Sequence, residues 1–276
     1  NVGGCATIGD LVFIDKNGNG IQEPINDEGG LAGVTVKLLN SSGVAILTTT
    51  TASNGTYSFK NVAAGSYRVN FTTPANYIPT KSNMGSDDNK DSDPVNGTTN
   101  SFNISGSTIN NSIDAGFIST IMSLGNKIWY DADDDGFGTI LNAGVANVIV
   151  RLYKDDNNDN NADGAAIATT VTGPLGIYLF QNLTPGNYIV GVVPPVGYRV
   201  SSKNGGDPDN DKRLDNNGFI VVGSEIRGLA VTLTPASEPG LLQNNTNNNG
   251  SYDFGLLPDC SVFTAPANLL VNGSFE

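Results

Sequence analysis

Histidine is absent from the 276 residues. That excludes Ser-His-Asp triads, Cys-His dyads, HExxH zinc sites and any His general base. Cysteine occurs only as Cys5 and Cys260, too far apart in the chain for a cysteine-rich zinc site. Glutamate is scarce, with 5 residues against 22 aspartates, and no long helical period is visible. No apolar run approaches the roughly 20 residues of a membrane span. Cations are outnumbered, 14 Lys and Arg against 27 Asp and Glu, giving a net charge of −13. Phosphate backbones and anionic membranes repel such a surface, so a nucleic-acid partner is not expected, and a divalent cation would relieve the repulsion.

Asn (36), Gly (34) and Asp (22) are abundant instead. They favour turns and oxygen-rich loops over helices. The 38% hydrophobic content still suffices for a core in each half.

The chain matches itself. Ile8-Gly9-Asp10-Leu11-Val12-Phe13-Ile14-Asp15 recurs as Leu124-Gly125-Asn126-Lys127-Ile128-Trp129-Tyr130-Asp131. Tyr57-Ser58-Phe59, Val62, Gly65, Tyr67 and Val69 recur 121 positions later as Tyr178-Leu179-Phe180, Leu183, Gly186, Tyr188 and Val190. Asp114-Ala115-Gly116-Phe117 recurs more loosely as Asp253-Phe254-Gly255-Leu256. A period this long means tandem domains, expected over 1–117 and 118–258, with a tail at 259–276. Strand signals fall at 7–14, 34–40, 44–51, 56–60, 66–72, 99–104 and 109–117. In the second copy they fall at 124–130, 145–153, 166–172, 177–180, 187–193, 218–222, 228–233 and 252–257. Seven or so short strands per copy, punctuated by Gly, Asn and Pro, predict an all-β chain of two tandem Ig-like sandwiches.

Two loops carry hard oxygens at alternate positions. Asp15, Asn17 and Asn19 precede Gly20 and Ile21; Asp131, Asp133 and Asp135 precede Gly136 and Phe137. Positions 1, 3 and 5 turn toward one ion, Gly permits the sharp turn, and the position 7 carbonyl adds a ligand. The bidentate Glu of an EF-hand is missing at position 12, which is Asn26 or Asn142, although Glu28 lies just beyond the first. Further clusters are Asp87, Asp88, Asp91 and Asp93, and in the second copy Asp207, Asp209, Asp211 and Asp215. The run Asp155, Asn157, Asp159, Asn161, Asp163 contains two overlapping registers, which the sequence leaves open. Solvated acidic loops are the bland alternative, but clusters at equivalent points of a repeat favour several structural calcium ions. Magnesium fits less well, preferring smaller octahedral sites that retain water.

These residues resemble the SdrD B-like domains of bacterial surface proteins, which belong with the Cna-B-type sandwiches. The family opening stands here as Gly9-Asp10, Phe13, Asp15, Asn17, Asn19, Gly20, Gln22, and its acidic segment lies at 86–93. The resemblance implies calcium-stiffened, rod-forming extracellular modules. It implies Asp15, Asn17, Asn19, Glu28, Asp131, Asp133 and Asp135 as ligands. The second copy departs from the pattern, with Gly138 in place of Gln22 and no counterpart to Glu28. Some Cna-B domains carry a Lys–Asn or Lys–Asp isopeptide bond, for which Lys127 and Asp253 would be the pair. Leu11 replaces Lys127 in the first copy, and a solvated Lys127 is the simpler reading.

The leading functional expectation is a stalk or fibre segment of a bacterial surface or secreted protein, partnered head to tail by neighbouring domains or subunits. The alternative is an adhesin module that contacts a host ligand or glycan itself. Without His or a nucleophile motif, an enzyme is not expected. The tail 259–276 is read as the start of a third β module or as a donated strand. Cys5 and Cys260, one beside each end of the pair, are expected to link molecules or modules rather than each other.

Overall fold

The computed structural model describes residues 5–23, 27–139, 141–202, 215–239 and 247–259. The tail after Asp259, with Cys260, lies outside them, as do Asn26, Asp207, Asp209 and Asp211. The chain divides into two compact units, one built mainly on residues up to Met122 and the other mainly on residues from Ser123 onward. Both are β-sandwiches, and no helix occurs among the described residues.

In the first unit the strands are β1 (Ala6–Ile14), β2 (Thr35–Asn40), β3 (Ala45–Thr50), β4 (Thr56–Val62), β5 (Gly65–Phe71), β6 (Tyr77–Pro79), β7 (Phe102–Ile104), β8 (Ile109–Asn110) and β9 (Ala115–Ser119). One sheet has the order β4-β1-β9-β6, with β8 also on β1; the other runs β3-β2-β5-β7. The alternation written in the sequence makes the core. Tyr57 and Phe59 on β4, and Tyr67, Val69 and Phe71 on β5, are buried, while Ser58, Lys60 and Arg68 face solvent. They meet Ile8, Val12, Val36, Leu38 and Phe117 in one cluster.

The second unit repeats the plan with β10 (Met122–Tyr130), β11 (Ile149–Lys154), β12 (Ala168–Val171), β13 (Ile177–Leu183), β14 (Gly186–Val193), β15 (Tyr198–Val200), β16 (Ile220–Val222), β17 (Glu225–Arg227), β18 (Val231–Leu233), β19 (Asn248–Asn249) and β20 (Phe254–Pro258). Its sheets run β13-β10-β20-β15, with β19 on β10, and β12-β11-β14-β17-β16, with β18 on β14.

Three strand expectations change. The run 109–117 splits into β8 and β9, because Asn110 Oδ1 captures the Ser112 N–H at 2.9 Å and interrupts the ladder. The run 228–233 shortens to β18, because the Leu229 carbonyl is taken by the Tyr252 hydroxyl, and β17 forms just before it. The run 145–153 begins only at Ile149, after Asn147 turns the backbone at φ 61°. Strands β6 and β15, three residues each, are too short to leave a period in the sequence.

Candidate metal centres

Each opening strand runs into a turn built by its own side chains. After β1, Asp15 Oδ1 accepts the Gly18 N–H at 2.7 Å and Oδ2 the Gly20 N–H at 2.8 Å. Asn17 Oδ1 accepts the Asn19 N–H and Asn19 Oδ1 the Ile21 N–H, so alternate residues fold the loop by short-range turns. Gly20, at φ 86°, supplies the backbone that a side chain would resist. Both asparagine amides donate to Glu23 Oε2, at 2.8 and 3.1 Å, a partner the sequence pattern did not single out. Thr80 donates its hydroxyl to Asp15 Oδ2. Glu28, buried, accepts the N–H groups of Lys16 and Glu23 on its two oxygens. Burial, with Asp15 nearby, pushes its carboxyl above the usual range. The first loop is thus closed largely by its own hydrogen bonds.

The second loop is more open. Asp131 Oδ2 accepts the Gly136 N–H at 3.0 Å, and Asp135 Oδ1 accepts the Phe137 N–H at 2.8 Å. Asp131 is fully buried, and its Oδ1 has no hydrogen-bond partner. Asp131, Asp133 and Asp135 each present a carboxylate oxygen, all within 4.8 Å of one another. A calcium ion, at about 2.3–2.6 Å from each ligand, accepts oxygens that far apart. Among the described residues this is the one group of three such side chains. Burial pushes the Asp131 carboxyl up. Asp134, between the ligands, accepts from the Ser202 N–H, the Ser202 hydroxyl and the Ser201 hydroxyl. Those bonds, chiefly from Ser202, hold its carboxyl down at about 2. Its role was not legible, because both serines lie more than 60 positions away.

The acidic segments return to these loops. Asp91 bridges Ile21 and Asp215 bridges Phe137, both antiparallel, so the two aspartates occupy the same structural place. Asp91 is buried with Oδ1 lacking a hydrogen-bond partner, and Asp215 is fully buried. Asp87 and Asp88 face solvent, where Asp87 pairs with Lys90 at 3.4 Å. Asp93 turns inward and accepts the Asp114 N–H at 2.6 Å.

The 155–163 run resolves in favour of the register that begins at Asp155. That residue is fully buried; its Oδ1 accepts the Asp159 N–H and its Oδ2 the Asn160 N–H. Asn160, at φ 64°, takes the place that Gly holds in the other loops. Asn157 Oδ1 and Asp159 Oδ1 continue the alternate turns to Asp159 and Asn161, and Asp163 Oδ2 folds back onto the N–H groups of Asp156 and Asn157.

Lys127 is not solvated as expected. It is 7% exposed, and its Nζ donates to the carbonyls of Asn142, at 2.7 Å, and Thr139. Its backbone N–H, rather than its amine, meets Asp253 Oδ1. The long aliphatic stem packs inside while the ammonium binds the loop. Cys5 is exposed, and the second cysteine, Cys260, lies outside the described residues.

A family model described as the SdrD B-like domain matches residues 6–117 and 122–221. The chain belongs to that family. Serine-aspartate repeat-containing protein F of Staphylococcus epidermidis is 40% identical over 216 residues, covering 78% of this chain and 12% of that protein. Serine-aspartate repeat-containing protein D of Staphylococcus aureus (strain Newman) is 38% identical over 217 residues, 78% of this chain and 15% of that one. The chain therefore spans less than a sixth of these relatives. Among solved structures, the shaft pilin SpaA of Lactobacillus rhamnosus GG aligns over 94% of this chain and 98% of its own, at 10% identity and a TM-score of 0.35. The two matched stretches make the chain a tandem of SdrD B-like domains.

Proposed function

We propose that this SdrD B-like pair is a calcium-stiffened stalk segment, joined head to tail with neighbouring domains or subunits. The observation that carries the calcium reading is the convergence of Asp131, Asp133 and Asp135, with the buried Asp131 Oδ1 lacking a hydrogen donor. Carboxylates gathered in this way repel one another until a cation binds, and binding to the folded form alone raises its stability. Several ions are expected, with Asp15 and Asp155 anchoring further loops. The test is thermal unfolding and limited proteolysis in chelator and in calcium. Chelator should lower the melting temperature and open 131–137 to protease, and calcium should restore both. If neither changes after metal is verifiably stripped, the loops are solvated surface and the reading fails.

A direct adhesive role has one observation in its favour. A cleft of about 480 Å³ in the second unit is lined by Tyr130, Tyr198, Pro195 and Pro258. Aromatic walls of this kind suit the flat faces of a host glycan or an extended peptide. Loss of host-cell binding in Tyr198→Ala, with unchanged melting, would support that reading; unchanged binding would remove it.

A further inference from the structure

The two units differ along one sheet edge. In the first, the outward face of the sheet carries Thr35 on β2, with Thr50 of β3 on one side and Thr72 on the other. In the second, the same places hold Ile149, Val171 and Val193. The next ladder position fixes the match, since Thr51 Oγ1 accepts the Val34 N–H and Thr172 Oγ1 the Val148 N–H. Ile149 and Val171 are 39% and 51% exposed. Threonine suits an exposed strand as well as valine or isoleucine does, so the local fold does not demand the exchange.

Charge is missing at the same edge. Residues 164–198 contain no Asp, Glu, Lys or Arg, the longest such stretch in a chain of net charge −13. Strand β12 lies within it and ends its sheet, and among the described residues no strand pairs with its other side. Arg151, opposite Thr169 in the ladder, sends its guanidinium the other way, to Glu225 on β17 at 2.9 Å. Folded proteins guard such edges with lysine, proline or a bulge. Strand β3 has the last of these: its register shifts between Leu38 and Leu39, and its exposed Ile46 and Leu47 fall at that irregularity. Strand β12 has none of the three and keeps its register from Ala168 to Val171.

The ladder also determines which backbone groups of β12 point outward. The Thr172 N–H donates to the Val148 carbonyl at 3.0 Å. By the alternation of an antiparallel pair, Thr170 and Ala168 also turn their backbone groups to β11, and Thr169 and Val171 turn theirs away from it. A strand that pairs here must bring no charge, and its own outward groups at the same spacing. Strand β12 of a second copy has both. An antiparallel pair centred on Thr170 sets Thr169 of each protomer opposite Val171 of the other and uses all of these outward groups. It also lays the acidic loop 155–163, which precedes β12, beside the uncharged turn 172–176 of the other protomer. A parallel pair would set the two acidic loops side by side against their mutual repulsion.

We propose that β12 pairs antiparallel with β12 of a second copy of this chain, extending the second unit's sheet across a two-fold axis, and that β3 of the first unit does not pair in this way. The test is sedimentation of the full chain in reducing buffer over a concentration series, with amide exchange followed residue by residue. A monomer–dimer equilibrium is expected, with the Thr169 and Val171 amides exchanging rapidly in the dilute chain and protected in the concentrated one. Thr169→Pro removes an outward N–H and no ladder bond, and should weaken association by roughly tenfold or more. Val171→Lys adds the edge charge that β12 lacks and should do the same with thermal melting retained, so a folding defect in the proline variant does not decide the matter. Thr48→Pro, at the matching place on β3, should associate like wild type. A wild-type chain that stays monomeric at every soluble concentration overturns the pairing and leaves the stalk reading untouched. A dimer that survives in both Thr169→Pro and Val171→Lys also overturns it, because the contact then lies elsewhere.

Discussion

Tyr57 donates its hydroxyl hydrogen to the carbonyl of Ile113 at 2.7 Å, tying β4 to the turn before β9. The second unit repeats the bond between Tyr178 and the Tyr252 carbonyl at 2.6 Å. Both rings are buried, so the carbonyls have no water in reserve. Tyr57→Phe and Tyr178→Phe should each destabilise their own unit by about 1–3 kcal/mol, the cost of a buried acceptor left unmade. Denaturant unfolding followed with a unit-specific probe measures this. A loss below about 0.5 kcal/mol in both variants would mean that the turn relaxes to reach solvent.

The buried acids of the first unit set a pH dependence in calcium-free protein. Burial, and for Asp114 the neighbouring Asp10, raises the folded values of Asp93 and Asp114 to about 7 and about 8, against 3.8 for the free side chain. The folded form therefore holds more protons than the unfolded form between those values. Their stabilisation is complete below about pH 4 and is lost as pH rises through 7 and 8. In chelator the first unit should melt at a lower temperature at pH 8.5 than at pH 5.5, and Asp93→Asn should flatten the slope. A first-unit melting temperature that rises across this window would contradict the assignment.

Glu225 is the centre of a charged cluster on β17. It accepts from Arg151 Nη1, Arg227 Nε and the Tyr153 hydroxyl, each at 2.9 Å. Burial alone would raise its carboxyl, but the bonds from Arg227, Arg151 and Tyr153 outweigh it and the net shift is downward. Gly191 leaves the space for it, since a Cβ there would lie 1.9 Å from Glu225 Oε1. Glu225→Ala strands a guanidinium over the Tyr153 ring and should cost roughly 2–4 kcal/mol. Arg151→Ala should cost far less, because that side chain is 39% exposed and screened by solvent. Equal losses in the two variants would place the energy in a simple pair rather than in the hub.

The repeat, the alternation of Tyr67, Val69 and Phe71 and the two opening loops could be read directly, because each is a local pattern. The Asp10–Asp114 relationship could not. It spans 104 positions and depends on β1 lying parallel to both β8 and β9. The equivalence of Asp91 with Asp215 was hidden for a related reason. Loops of different length shift the offset between copies, from 121 at Tyr57 to 124 at Asp91 and 139 at Asp114. The same shift hid Asn217 as the uncharged counterpart of Asp93, each accepting the N–H of the aspartate at the start of the last strand. Lys127 was misjudged because its apolar stem and its charge follow opposite rules of burial, and only the nearby carbonyls of Thr139 and Asn142 decide between them.

The two opening loops should answer calcium differently. The second presents three carboxylates, whereas the first presents Asp15 with Asn17 and Asn19, whose oxygens already accept loop N–H groups. Calcium affinity in such loops follows the number of ligand charges. At a calcium concentration 100 times the dissociation constant, an ion that binds only the folded form adds about 2.7 kcal/mol. At a concentration that saturates the second loop alone, calorimetry should show the second unit's transition moving upward before the first unit's opening loop responds. Asp133→Asn removes one exposed charge without disturbing the buried Asp131. It should shift the calcium dependence of that transition to higher concentration by about tenfold or more, a loss near 1.4 kcal/mol, and leave the melting in chelator unchanged or slightly raised. The slight rise follows from relieved repulsion among Asp131, Asp133 and Asp135. A variant that melts like wild type at every calcium concentration would remove Asp133 from the coordination sphere.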